Sequence, residues 1–373
     1  MSAAKQALVI GGGIAGMSAA IVLRESGMKV HLIDRDPEWK VYGAGITITG
    51  PTLRVMKRLG ILDRVLAEGY TSDGLLVCDA QGNTVAEIET RGEALNGVPG
   101  AGGIMRPVLH SILSERLRLL APRVSLGTSV ASLIPGHPTQ VTFTDGSTGT
   151  YDLVVGADGI FSATRAMMFP DTPEPHYVGQ VCWRLMTSRH PAIERRTYFL
   201  GGPSKVGINP VSPDQMYMFL LEPVQRFERR PEGDQYRHLD ALMAPYGGVV
   251  ADLRAELNAG SRIVARPLET IFLRAPWYRQ GCVLIGDAAH ATTPQLASGA
   301  GMAMEDGVVL GECVAGEDNI EAALARFMQR RYPRCALVVE KSLTLGRLEK
   351  AVTSPIEQVR VVEQALAQLN QPY

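Results

Sequence analysis

Ala7-Leu8-Val9-Ile10-Gly11-Gly12-Gly13-Ile14-Ala15-Gly16 decides the fold. The apolar run Ala7 to Ile10 has the length of a buried strand and is too short for a helix. After the glycines, the spacing predicts a helix from about Ile14 to Ser26, closed by Gly27. Lys29 to Ile33 reads as a second strand. A strand, a tight turn, a helix and a strand joined this closely form the unit that starts a parallel sheet. The uncharged stretch Ala7 to Leu23 has the look of a signal peptide or a short membrane span. However, glycines interrupt it, only Lys5 precedes it, and it runs into an amphipathic pattern. The expectation is a cytoplasmic protein with no targeting segment and no stable membrane anchor.

The glycines carry a dinucleotide fingerprint, G-x-G-x-x-G. Gly11 permits the tight turn, Gly13 lets the backbone approach a pyrophosphate, and Gly16 lets the helix pack closely on the sheet. Free N–H groups around Ala15, together with the positive end of the helix dipole, suit phosphate. Asp34 ends the second strand, where a carboxylate accepts hydrogen bonds from ribose hydroxyls and would repel a 2′-phosphate. Arg35 beside it is also a candidate for cofactor binding. The fingerprint alone does not separate FAD from NAD.

Composition narrows the class. The chain has 373 residues, 46% hydrophobic and 20% charged, with a formal net charge of −1. This describes a globular chain long enough to bury a large core without staples. It argues against nucleic acid as a partner. Cys78, Cys182, Cys282, Cys313 and Cys335 are scattered, with no C-x-x-C and no Cys/His cluster, so free buried thiols and no metal site are expected.

Outward from the fingerprint, Thr52 to Gly60 has helical spacing. Leu75 to Glu89 alternates around Gln81-Gly82-Asn83 as a hairpin, and Arg106 to Leu120 reads as a helix. Short strands fill Ser125 to Val155. From about Pro170, prolines and strand-like runs (Val178 to Met186, Thr197 to Leu200, Val206 to Ile208, Met216 to Leu221) indicate an antiparallel sheet, with helices at Gln235 to Met243 and Ala251 to Leu257. Parallel-sheet texture returns after Pro267, where the strand Cys282 to Ile285 ends in Gly286-Asp287. Helices are expected at Gly301 to Val314 and Ile320 to Tyr332, and mostly helix from Ala336 to Leu369 with a break near Pro355. The fold class is therefore α/β, with a Rossmann-like FAD-binding domain, a mixed or antiparallel sheet forming a substrate domain, and C-terminal helices. The expected boundaries are 1-72, 98-170 and 268-373 for the discontinuous FAD-binding domain, and 73-97 and 171-267 for the substrate domain.

Three further segments decide for FAD. The first is Asp152-Leu153-Val154-Val155-Gly156-Ala157-Asp158-Gly159, followed by Ser162 and Arg165. The second is Gly281-Cys282-Val283-Leu284-Ile285-Gly286-Asp287-Ala288-Ala289-His290, continuing through Pro294, Gly299, Gly301, Glu305 and Asp306. The third is Gly103-Ile104-Met105-Arg106. With these in order along nearly its whole length, the chain resembles the single-component FAD-dependent aromatic hydroxylases, the para-hydroxybenzoate hydroxylase-like family. Its central part is similar to the urate hydroxylases and related hydroxylases of N-heterocycles.

The resemblance implies FAD as cofactor, with NADH or NADPH as a transient co-substrate and O2 as oxidant. It implies hydroxylation of a small aromatic or N-heteroaromatic substrate through a flavin C4a-hydroperoxide. Asp287 would bind a ribityl hydroxyl. Gly299, Ala300, Gly301 and Met302 would open a helix beneath the isoalloxazine, whose dipole stabilises charge at the reduced flavin. Arg106 would reach the phosphates or ribityl chain, Asp158 would serve both nucleotides, and Thr47 and Val130 would line the cofactor. Pro294 matches a proline whose loop lies beside the substrate. Lys205 and Tyr217 fall where urate-hydroxylase-like members place polar substrate contacts, and Arg184 is a further pocket candidate. For Lys205 and Tyr217, a surface lysine and a core tyrosine are equally open readings. Trp183 reads as core, with Arg184 facing the other side of the strand. His290 reads as structural, with general-base chemistry the alternative. The rival functions are a flavin dehydrogenase or reductase of a lipid-like substrate, a non-enzymatic flavin-binding protein, and a halogenase. The halogenase reading lacks a tryptophan-rich motif, because Trp39, Trp183 and Trp277 are far apart. A monomer and a homodimer are both compatible with the sequence.

Overall fold

The computed structural model describes residues 5–41, 43–351 and 354–373. The opening unit folds as its periodicity dictates, into strand Gln6–Ile10, helix Ile14–Glu25 and strand Lys29–Asp34. These strands lie in the middle of a six-stranded sheet with the order Tyr278–Arg279, Cys282–Leu284, Leu153–Gly156, Gln6–Ile10, Lys29–Asp34, Arg123–Leu126. Every pairing is parallel except the first. Ala7, Leu8, Val9, Leu153, Val154, Val155, Val283 and Leu284 are buried, as strands covered on both faces require.

A second sheet has seven strands, in the order Arg262–Thr270, His176–Ser188, Gln215–Pro223, Lys205–Pro210, Thr197–Phe199, Leu75–Cys78, Thr84–Ile88. The hairpin 75–88 thus joins strands from the later part of the chain. Alternation sorts the two faces of Gln215–Pro223. Met216, Met218 and Leu220 pack with Leu239, Met243, Val250 and Leu253 of the helices Glu232–Met243 and Val249–Ala255. Tyr217 and Phe219 point the opposite way, into a cavity. The fold is α/β, with a Rossmann-like region, mixed and antiparallel sheets, and a C-terminal group of helices, Gly299–Gly316, Ile320–Lys350 and Pro355–Leu369.

Two differences from the sequence reading stand out. The chain does not stop its helix before Pro333, because Ile320–Lys350 runs through it unbroken. An internal proline costs about 3 kcal/mol. Arg331, Cys335 and Val338 on either side are buried, and Arg331 pairs with Glu305 and Asp306, which holds the helix in register. The second difference is a small sheet of Gly45–Thr49, Ala101–Met105 and Tyr70–Ser72 that the glycine-rich sequence does not announce. No helix among the described residues is long and apolar enough to cross a membrane.

Candidate active site

The two large sheets and the helix Gly299–Gly316 enclose a cavity of about 400 Å3. One end is built from turns. Gly11 sits at φ +105°, and a side chain there would strike the Ala157 carbonyl oxygen at 2.4 Å, so the fingerprint turn and the Ala157-Asp158 turn close on one another. Gly16 packs under the Gly11 carbonyl. Gly13, by contrast, faces empty space, with nothing within 4 Å of where its Cβ would stand. It lines the cavity together with Ala15, Gly159, Asp287, Gly299 and Ala300. The first N–H groups of the helix Gly299–Gly316 have no partner within the helix, and its Ser298, Gly299 and Ala300 end opens onto the same space.

Asp287 is exposed to the cavity and enclosed by protein elsewhere. Enclosure raises its carboxyl above the ordinary range, while His290 and Arg106 pull it back. Arg106 begins the helix Arg106–Arg118 and lines the cavity. Burial lowers the basicity of its guanidinium, Arg184 lowers it further, and Tyr217 and Asp287 counter both. Gly301 and Met302 follow in the same first turn but do not line the cavity. Gly301 packs on Thr52, and Met302 is in the core with its carbonyl accepting from Arg331 at 3.3 Å.

Four other expected cofactor residues, Asp34, Arg35, Asp158 and Val130, stand outside the cavity lining. Asp34 accepts the Gly12 N–H at 2.7 Å and the Asp36 N–H at 2.8 Å, bracing the fingerprint turn. Arg35 is exposed. Asp158 accepts from the Ser162 hydroxyl and from the Thr164 N–H at 2.9 Å and its hydroxyl at 3.0 Å, at the head of the helix Ala163–Met168. Val130 is buried in the strand Val130–Ile134 opposite Phe143, off the cavity wall. Trp39, which the sequence reading did not consider for this site, donates its indole N–H to the Gly12 carbonyl at 2.9 Å and stacks edge-on against His110, a cavity residue.

The opposite end of the cavity is aromatic and cationic. Tyr217 donates to or accepts from Thr47 at 2.6 Å, and both line the wall. A side chain on Gly45 would strike the Tyr217 ring at 2.4 Å, so the strand is bare where the ring lies. Burial raises the Tyr217 phenol above its usual range, and the Thr47 bond partly offsets this. Tyr198 and Phe219 complete an aromatic wall, with ring centroids 5.8 Å apart. Cys182, Leu268, Thr292, Thr293 and Pro294 close the remaining sides. Arg184 reaches the cavity from His176–Ser188, while Trp183 packs in the core on the other face. Among the described residues, nothing hydrogen-bonds or ion-pairs with the Arg184 guanidinium. The wall thus holds two guanidiniums, Arg106 and Arg184, against one carboxylate, Asp287.

Lys205 does not line this cavity. Its ammonium is buried, 3.1 Å from Glu349 and 4.5 Å from the centre of the Tyr198 ring. Glu349, a buried carboxylate near the end of the helix Ile320–Lys350, claims the charge, and Tyr198, a cavity residue, packs against the ammonium.

His290 also lies behind the wall, in a buried cluster. Asp306 Oδ2 accepts from the His290 ring at 2.6 Å and from the Gly286 N–H at 2.8 Å, while Oδ1 accepts from Arg331 at 2.8 Å. Burial opposes a charge on His290, but the Cys335 sulfur and Asp306 raise it well above its ordinary value. Asp306 is held down at about 2 despite its burial, first by His290 and then by Arg331. His290, Asp306 and Cys335 bring metal-ligand atoms within 4.8 Å of one another. Arg331 already supplies the compensating positive charge there.

The cavity fits an extended dinucleotide cofactor. The fit rests on the open space over Gly13, the free helix start at Gly299, the carboxylate of Asp287 and the unpaired Arg106. Comparison with known proteins agrees. A family model described as FAD binding domain matches residues 4–342. The chain is 32% identical over 350 residues to the 2-heptyl-3-hydroxy-4(1H)-quinolone synthase of Pseudomonas aeruginosa, covering 91% of this chain and 88% of that one. It is 30% identical over 351 residues to the FAD-dependent urate hydroxylase of Klebsiella oxytoca, covering 90% and 88%. The crystal structure of Klebsiella pneumoniae HpxO complexed with FAD and uric acid superposes with a TM-score of 0.84 at 26% identity, over 98% of this chain and 92% of that one.

Proposed function

The chain belongs to the single-component FAD-dependent aromatic and heteroaromatic hydroxylases, a family of flavoprotein monooxygenases, and from that premise we propose that it uses NAD(P)H and O2 to hydroxylate an anionic aromatic or N-heteroaromatic small molecule. The observation that carries the substrate charge is the unpaired Arg184 guanidinium in a cavity where cations outnumber carboxylates. A half-buried guanidinium without a counter-charge is only partly solvated, so an acidic group on the ligand would satisfy it. The molecules named for the relatives, a urate substrate and a hydroxyquinolone product, are N-heterocycles.

Bound FAD supplies the two-electron redox chemistry and the activation of O2. The chain supplies the rest. Gly13, Asp287 and the Gly299–Ala300 helix start would hold the cofactor, with Arg106 at its side. Negative charge on the cofactor would be favoured by the helix start. Tyr217, held by Thr47, together with Tyr198 and Phe219 would form one aromatic wall against the substrate ring, Arg184 would fix its acidic edge, and the Pro294 loop would exclude water. Lys205 is assigned no substrate contact.

The reading is tested by NADH and NADPH oxidation with purified holoenzyme and a panel of phenolic acids, hydroxypyridines and purines, with product masses recorded. Stimulated oxidation with a product heavier by one oxygen atom is expected. Retained FAD with no stimulation by any member would favour the dehydrogenase or non-enzymatic alternative. A second expectation concerns Asp287→Ala. Hydrogen bonds to charged groups contribute about 1.5–3 kcal/mol, so FAD affinity should fall by roughly 10- to 150-fold, read by titrating apoprotein with FAD. Unchanged affinity would remove Asp287 from the cofactor contacts.

A further inference from the structure

The strand His176–Ser188 that floors the cavity does not end there. Arg184, Cys182 and Gln180 alternate onto one face of it. The first two line the cavity already described, and Gln180 lines a second one of about 240 Å3. From Arg184 to Gln180 is about 13 Å along the strand, at about 3.3 Å per residue. The second cavity lies between this strand and one face of the helix Ile320–Lys350, from which Glu340, Leu343, Gly346, Arg347 and Lys350 project at helical spacing. Val178 and Leu343 give it apolar walls. Gly346 lets the helix settle onto the strand, where a Cβ would stand 3.1 Å from the Gln180 side-chain oxygen.

One residue, Thr293, belongs to both cavities. It is 3% exposed, and its hydroxyl has no hydrogen-bond partner. The first cavity, at about 400 Å3, must hold the flavin ring and the substrate ring together, since both sets of residues line it. That leaves little room for a substituent. We propose that the second cavity is a substrate subsite, taking an aliphatic chain that leaves the ring at Cys182, passes Thr293 and lies between Val178 and Leu343. This deepens the monooxygenase reading, on which it rests, to ring substrates that carry an acidic group and an alkyl tail.

The test uses the oxidised FAD holoenzyme and three probes, benzoate, 4-propylbenzoate and 4-heptylbenzoate, titrated by perturbation of the flavin absorbance without turnover. A buried methylene contributes about 0.8 kcal/mol, so Kd should fall by up to about fourfold for each methylene between propyl and heptyl. Leu343→Trp, which fills the subsite, should abolish this dependence and leave the Kd of benzoate unchanged. Val178→Phe, from the opposite wall, serves if the first variant does not fold. Failure of 4-heptylbenzoate to bind, a Kd that is flat across the series, or a chain-length gain that survives both variants would overturn the subsite. Oxygenation of a panel compound alongside a flat series would remove the subsite and leave the monooxygenase reading standing. A groove-dependent series with no oxygenation of any compound would do the reverse.

Discussion

Replacing Asp306 by asparagine is expected to destabilise the holoenzyme by about 3–5 kcal/mol, the cost of removing one partner from a buried ionic cluster, and to loosen FAD. Asp306 is fully buried on the helix Gly299–Gly316. Its two oxygens accept from the Gly286 N–H, the His290 ring and Arg331. Asparagine has the same shape but only one acceptor oxygen, and its amide donors would face donors. Gly286 immediately precedes Asp287 on the cavity wall, so the same change that uncompensates His290 and Arg331 also frees the turn that aims Asp287. A control separates stability from positioning. Glu305 pairs with Arg331 at 2.7 Å and with Arg334 at 2.7 Å but does not touch the Gly286 turn. Glu305→Gln should therefore lower the denaturant midpoint and keep FAD, whereas Asp306→Asn should lose both. Denaturant unfolding and FAD content after gel filtration check this. An Asp306→Asn protein within 1 kcal/mol of wild type and fully flavinated would refute the assignment.

The same pair dictates a pH dependence. Asp306 is depressed in the folded state, to about 2. Its stabilisation is therefore complete above the unfolded carboxyl value of about 3.9 and is lost as pH falls toward 2. His290 is raised, so its contribution is complete below about 6.5 and is lost as pH rises through its folded value. These are two views of one ion pair, and both are satisfied between about pH 4 and 6.5. The unfolding free energy measured across pH 2–4 should fall less steeply in Asp306→Asn than in wild type.

The glycine-rich end of the cavity was legible because its signals are local. A glycine turn, a carboxylate at a strand end and a helix start each occupy a few consecutive residues, and Gly13, Asp287 and Gly299 meet on one wall. Arg184 was legible through strand alternation. The same rule applied two residues back points to Cys182, which was overlooked. Contacts between distant segments left no local signal. Lys205 reads equally as a substrate anchor or a surface lysine, and it is neither once Glu349 folds onto it. Asp34 and Asp158 read as ligands of nucleotides, yet their oxygens also have turn N–H groups to satisfy. Trp39 and His110 come together across the fingerprint turn without any motif. Pro333 reads as a helix stop because a window of sequence cannot see the ion pairs of Arg331 that carry the helix past it.

Arg184→Gln is expected to lower kcat/KM for an acidic ring substrate by roughly 30- to 5,000-fold, since truncating one partner of a desolvated charge pair costs about 2–5 kcal/mol. The range is wide because the site is half-buried and its final screening depends on how far the bound substrate excludes water. The direction follows from the cavity. Without Arg184 the wall keeps one guanidinium, Arg106, which Tyr217 and Asp287 already face, so a single cation with a carboxylate beside it replaces two. Because the anchor holds substrate before and during the reaction alike, most of the loss should appear in KM and less in kcat. Arg184→Lys should recover only part of it, because an ammonium keeps the charge but not the planar two-pronged geometry. The decisive comparison is between an acidic substrate and its neutral amide. Arg184→Gln should penalise the acid and leave the amide nearly untouched, so the two curves converge in the variant. Equal losses for acid and amide would mean that Arg184 shapes the pocket without reading charge, and the anionic substrate class would have to be abandoned.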